Sequence, residues 1–220
     1  MFGGAATNPG PNRHNDRVIR RSAARAAALA VSCLALAGCG GGDSTPDASD
    51  PSSAGGGTVQ GVALTEPGTA LTLGNDATVS WQPDQHLVGV MKVAVDRLEK
   101  VPASRFSDWR LDAATQKSTP YFVRAAVENV GTTDLSGVRV PLYLLDGRNT
   151  LLQPSTFRAS FPACPSTPLP PRFTSGAKAS VCLVYFVPDH GTLTAVSFRP
   201  TEDFDAITWT GPVTEPKPKT

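Results

Sequence analysis

From about Val59 to Gly211 the apolar residues fall in short runs rich in β-branched and aromatic side chains. Each run is cut off by Gly, Pro, Asn or Asp. Runs of that length and composition predict strands. The candidates are Thr78–Gln82, Leu87–Leu98, Thr119–Asn129, Val138–Leu145, Thr150–Gln153, Val181–Val187, Leu193–Phe198 and Ala206–Trp209. The alternation is clearest in Thr119–Asn129. Tyr121, Val123, Ala125 and Val127 share one face; Phe122, Arg124, Ala126 and Glu128 share the other. Asn129-Val130-Gly131 then supplies turn chemistry, and Asp146-Gly147 reads as a hairpin turn. Val181–Val187 is the most apolar run and is expected at the centre of a sheet. A single short helix is expected around Ser104–Ala114. About eight strands over some 150 residues predict an all-β domain, a β-sandwich of about 7–9 strands spanning 59–211.

The first 38 residues follow a different pattern. Arginines from Arg13 to Arg25 precede the apolar run Ala26–Ala37, which ends in Leu36-Ala37-Gly38-Cys39. A run of twelve residues is too short to span a bilayer, which needs about 20, but it suits the core of a secretory signal. The ending resembles the lipobox of bacterial lipoproteins. That resemblance implies a signal peptide over 1–38, cleavage before Cys39, and transfer of a diacylglyceryl group to the Cys39 thiol. Two acyl chains hold where one holds only marginally. The membrane is thus the first expected partner, reached through Cys39 on the extracytoplasmic face. Residues 39–58 carry Gly40–Gly57, a stretch of Gly, Ser, Asp and Pro with no large apolar residue, and read as a flexible tether with a reach of about 23 Å. The tail, 212–220, is expected to be unstructured.

Charge divides along the same boundary. Five arginines and one aspartate before Cys39 give +4, and the remaining 15 basic and 18 acidic residues give −3. A body of −3 offers no basic field for nucleic acid. Once Cys33 falls within the signal and Cys39 carries lipid, Cys164 and Cys182 remain as one pair in an oxidising compartment, and a disulfide is expected. It would pin the Pro-rich stretch Phe161–Pro171 onto a strand.

The strand Tyr121–Asn129 leads into Asn129-Val130-Gly131. The strand Leu142–Leu145 leads into Asp146-Gly147, and Val196–Pro200 and Ile207–Trp209 close the series. In this order the motifs resemble the immunoglobulin-like, telokin-like domain of bacterial lipoproteins of unknown function. The resemblance implies a fold and a surface location, with no activity or site attached.

Catalytic chemistry finds little support in the sequence. A serine nucleophile needs a base beside it, and only His86 and His190 follow the signal, both in turn-like contexts. No spacing of His or Cys matches a metal site, and Glu202, Asp203 and Asp205 read as a solvated acidic turn. No catalytic residue, metal or cofactor is therefore expected. Trp81 and Trp209 sit in strand-like runs and are expected in the core. Trp109 lies in an irregular stretch, which makes it the candidate partner-contact residue. The expected role is a non-catalytic binding module contacting an envelope protein or wall polymer. The alternative is a small-ligand or metal-binding lipoprotein serving a transporter, which would require a concave apolar pocket.

Overall fold

The computed structural model describes residues 56–159 and 161–215. The expected signal peptide, Cys39, most of the expected tether and the last five residues lie outside them. Twelve strands are formed: β1 Thr58–Val59, β2 Val62–Ala63, β3 Ala70–Thr72, β4 Asp76–Asp84, β5 Leu87–Lys100, β6 Thr119–Asn129, β7 Tyr143–Asp146, β8 Leu151–Leu152, β9 Lys178–Val187, β10 Leu193–Phe198, β11 Ile207–Thr210 and β12 Val213–Thr214. Seven of these are four residues or longer. They build two five-stranded sheets and a small β1–β2 ribbon. In one sheet β5 pairs with β6 and β6 with β9, while β4 and β12 both dock on β5. The other sheet has the order β3-β11-β10-β7-β8. The expected all-β sandwich is the observed architecture.

The alternation of β6 explains how the sheets meet. Tyr121, Val123, Ala125 and Val127 join Val93, Val95, Leu183 and Tyr185 on the inner face of their sheet. Leu144, Val196, Phe198, Ile207 and Trp209 come from the opposing sheet into the same core. In β5 the alternation changes phase: Val95 and Leu98 are both fully buried although three positions apart. A bulge at Asp96 lets Val95 face Ala125 while Arg97 faces Arg124, which returns Leu98 to the core.

Four elements differ from expectation. β9 is an edge strand, not a central one. Its apolarity comes from burial on both faces: Leu183, Tyr185 and Val187 enter the main core, and Cys182 and Val184 enter a second cluster on the outer face. Part of its free edge is closed by Ser155, ahead of the Pro-rich stretch, whose N–H donates to Val184 O at 2.7 Å, and by Ser166 within it, whose N–H donates to Cys182 O at 2.9 Å. The Val138–Leu145 run becomes a strand only from Tyr143, because Pro141 offers no amide hydrogen and Leu142 N–H turns back to Val140 O. The expected helix is instead a 3-10 turn, Ala103–Phe106, and a separate α1, Ala113–Gln116, whose start is capped by Asp112 accepting from Thr115 N–H at 2.8 Å. Finally, Val213–Thr214 at the start of the tail is ordered. β4 covers only the first half of β5, so β12 pairs in parallel with Leu98–Glu99, Val213 packs on the core and Glu215 reaches Lys100 at 3.4 Å.

The Asp146-Gly147 hairpin is present between β7 and β8. Asp146 is buried, and its Oδ1 accepts from the amides of Thr150 at 2.7 Å and Arg148 at 2.9 Å. Burial alone would raise its pKa, but those two amides and the Arg148 charge outweigh it and hold the carboxyl below the ordinary 3.8. A carboxylate with a depressed folded pKa stabilises the fold fully above its unfolded value, and that contribution disappears as pH falls through the folded value. Denaturation followed from pH 6 downward should therefore show stability declining below the ordinary carboxylate range. Asp146→Asn should flatten that decline; an unchanged slope would remove Asp146 from the account.

Candidate functional site

The second cluster lies on the side of the β5-β6-β9 sheet that faces away from the sandwich core. Phe122 of β6 and Cys182 and Val184 of β9 form its floor. Phe106, from the 3-10 turn, sits fully buried above them, with ring centroids 5.0 Å from Phe161 and 4.9 Å from Phe186. Phe157, just ahead of the Pro-rich stretch, and Phe161, which opens it, stand 5.2 Å apart. Aromatic pairs at these separations and tilts add to the stabilisation from area burial. The cluster fastens two irregular segments to a sheet face that would otherwise be open to water.

The expected disulfide is formed between Cys164 and Cys182, with a Cα–Cα distance of 5.1 Å. Cys164 is fully buried beneath the cluster. Ser166, two residues on, adopts φ of 51°. That conformation lets its hydroxyl donate to Ser155 O at 2.6 Å and accept from Val184 N–H at 3.2 Å. Disulfide and hydroxyl together bind the segment to β9.

Trp109 stands at the rim of this layer, half-buried. Its ring is 4.9 Å from Phe161 and 5.9 Å from Phe157 in edge-to-face arrangements. Beside it, Leu111, Pro120 and Phe186, together with Thr115, Gln116 and Ser118, line a groove of about 230 Å³. A second groove, of about 480 Å³, runs past Arg97, Arg124 and the prolines of the Pro-rich segment. Its guanidinium groups are already engaged: both stand 3.1 Å from Glu99. A third, a trough of about 990 Å³, passes Trp81, Val138, Tyr143 and Phe204.

Trp81 and Trp209 are core residues, and the Trp209 indole N–H donates to Asn75 O at 2.9 Å. His86 and His190 are exposed in turns, and Glu202, Asp203 and Asp205 are exposed as well. Asp189 and His190 both take positive φ, and Asp189 pairs with Arg148 at 3.0 Å. Among the described residues no group of three or more His, Cys, Asp or Glu could hold a metal ion. No helix among them is long and apolar enough to cross a membrane.

Sequence reasoning singled out Trp109 but missed the five phenylalanines that surround it. They lie at 106, 122, 157, 161 and 186, too far apart for any local pattern to join them. One signal was available: Phe122 interrupts the otherwise polar outward face of β6, and Cys182, Val184 and Phe186 line the outward face of β9.

No family model matches the chain, and no curated protein matches it. Among solved structures it is similar to MPT63, a secreted protein from Mycobacterium tuberculosis, at 14% identity, with 64% of this chain and 96% of that one covered and a TM-score of 0.40. A likeness of that size is too slight to build on, and the site stands on its own geometry.

Proposed function

We propose that this chain is a lipid-anchored, extracytoplasmic binding module without catalytic activity. It is moored by a diacylglyceryl group on Cys39 and presents the Trp109 groove to a component of the cell envelope. The observation that carries this reading is the groove itself: a half-buried tryptophan, held by a buried aromatic layer, beside open space. A large amphipathic ring fixed in place loses little conformational entropy on contact, which suits it to recognition. The Cys164–Cys182 disulfide supports an oxidising compartment. The lipobox resemblance and the tether support mooring at a membrane surface.

Anchor and contact surface are tested together. Cys39→Ala should move the protein from the membrane fraction to the soluble one; retention in the membrane would refute the anchor. A photo-crosslinking residue at Leu111, in the groove, should capture an envelope component in living cells. The same probe at His86, an exposed turn elsewhere, should not. Equal labelling from both positions would remove the groove from the proposal.

A further inference from the structure

The lining of the Trp109 groove narrows its ligand further. We infer that the groove takes one neutral sugar ring of an envelope polysaccharide, a step that rests on the binding-module reading above. No Lys, Arg, Asp or Glu is among the residues that enclose it, so a phosphate, a carboxylate or an ammonium finds no counter-charge there. Its apolar lining is Trp109, Leu111, Pro120 and Phe186, with Ala103 and Phe106. Ser107, Thr115, Gln116 and Ser118 supply its polar groups, and most of the hydrogens on the last three are already committed. Thr115 Oγ1 donates to Asp112 at 3.1 Å, Gln116 Nε2 to Leu111 O at 2.8 Å, and Ser118 Oγ to Ala114 O at 3.2 Å. What these groups still offer is oxygen lone pairs and the second amide N–H of Gln116, so a fitting ligand brings mainly O–H or N–H donors of its own. A pyranose ring has this character: an apolar C–H face to lie against an aromatic ring, and a rim of hydroxyl donors. About 230 Å³ suits a single substituted ring. Strand addition by a peptide is blocked where Ser155 and Ser166 already bond the β9 edge, at Val184 and Cys182.

The test uses the full chain in mild detergent, titrated with triacetylchitotriose and, separately, with protein-free wall polysaccharide from the parent cells. Trp81 and Trp209 are buried, so a change in tryptophan emission on binding reports Trp109. A saturable blue shift is expected. Measured by titration calorimetry, which does not need the tryptophan as reporter, Trp109→Ala should weaken binding at least about tenfold, as for a central aromatic contact, and Trp109→Phe by less. Near-UV circular dichroism of both variants establishes that each is folded, and Trp109→Phe keeps an aromatic ring against Phe161 should the alanine variant collapse. Absence of saturable binding to either saccharide, or binding that Trp109→Ala leaves unchanged, overturns the inference. If the saccharides fail while the Leu111 probe still captures an envelope protein, the sugar assignment falls and the binding-module reading stands. If both fail, the two fall together.

Discussion

Replacing Asn129 by alanine should cost on the order of 3 kcal/mol of folding stability, read as a shift in the denaturant midpoint at unchanged slope. Asn129 is fully buried at the end of β6. Its amide nitrogen donates to Thr133 O at 2.7 Å and to Phe173 O at 2.8 Å, and its Oδ1 accepts from Gly131 N–H at 3.1 Å. One side chain thereby closes its own turn and ties it to the far end of the Pro-rich segment. The partners are not equally exposed to its loss. Gly131 N–H also reaches Val90 O, and Phe173 O also accepts from Leu135 N–H, so each keeps a bond. Thr133 O, which is only partly buried, has no such second partner among the described residues and loses its bond. Asn129→Asp sharpens the test. It preserves shape and volume but sets a carboxylate against two carbonyl oxygens, so near neutral pH it should destabilise more than alanine does. Acidification, which restores a donor, should narrow the gap. Were aspartate tolerated better than alanine at pH 7, the hydrogen-bond account of this turn would be wrong.

Asn129 also marks where sequence reasoning stopped. Asn129-Val130-Gly131 was legible as a turn, because Asn and Gly favour turns for local reasons. That the Asn side chain is buried and bonded to residue 173 depends on a contact 44 positions away, which no local pattern encodes. The same division holds elsewhere. The inner face of β6 was readable from period-two alternation, and Trp81 and Trp209 were readable as core from their strand context. β9 was misplaced because an apolar run reports how many faces are covered, not how many strands flank it. Here the second covering is an aromatic layer carried by loops. The ribbon β1–β2 and the strands β3 and β12 went unseen because two or three residues show no periodicity. The disulfide followed from elimination among four cysteines. The groove beside Trp109 did not, since its walls come from the 3-10 turn, α1, β6 and β9.

Removing the disulfide should have an effect of similar size and a different signature. Cys164 and Cys182 are 18 residues apart, and the loop-entropy relation assigns about 3 kcal/mol to a bridge of that span. Cys164→Ala with Cys182→Ala should lower the denaturant midpoint accordingly. The loss should also be visible as local opening before the sandwich itself unfolds. Downstream, the Pro-rich segment remains held by Ser166 on β9, by Leu169 N–H on Val138 O and by Phe173 in the core. Upstream of Cys164, the ring of Phe161 is held mainly by its aromatic neighbours, and Phe161 is what Trp109 leans on at 4.9 Å. Proteolytic nicking between residues 156 and 164 and a red shift of tryptophan emission are therefore expected under conditions where near-UV signals of the core persist. Ligand binding in the groove should weaken with them. Should iodoacetamide label both cysteines in protein denatured without reductant, there is no bridge to remove. If the double variant binds and resists protease as the parent does, the aromatic layer holds Trp109 without help from the disulfide.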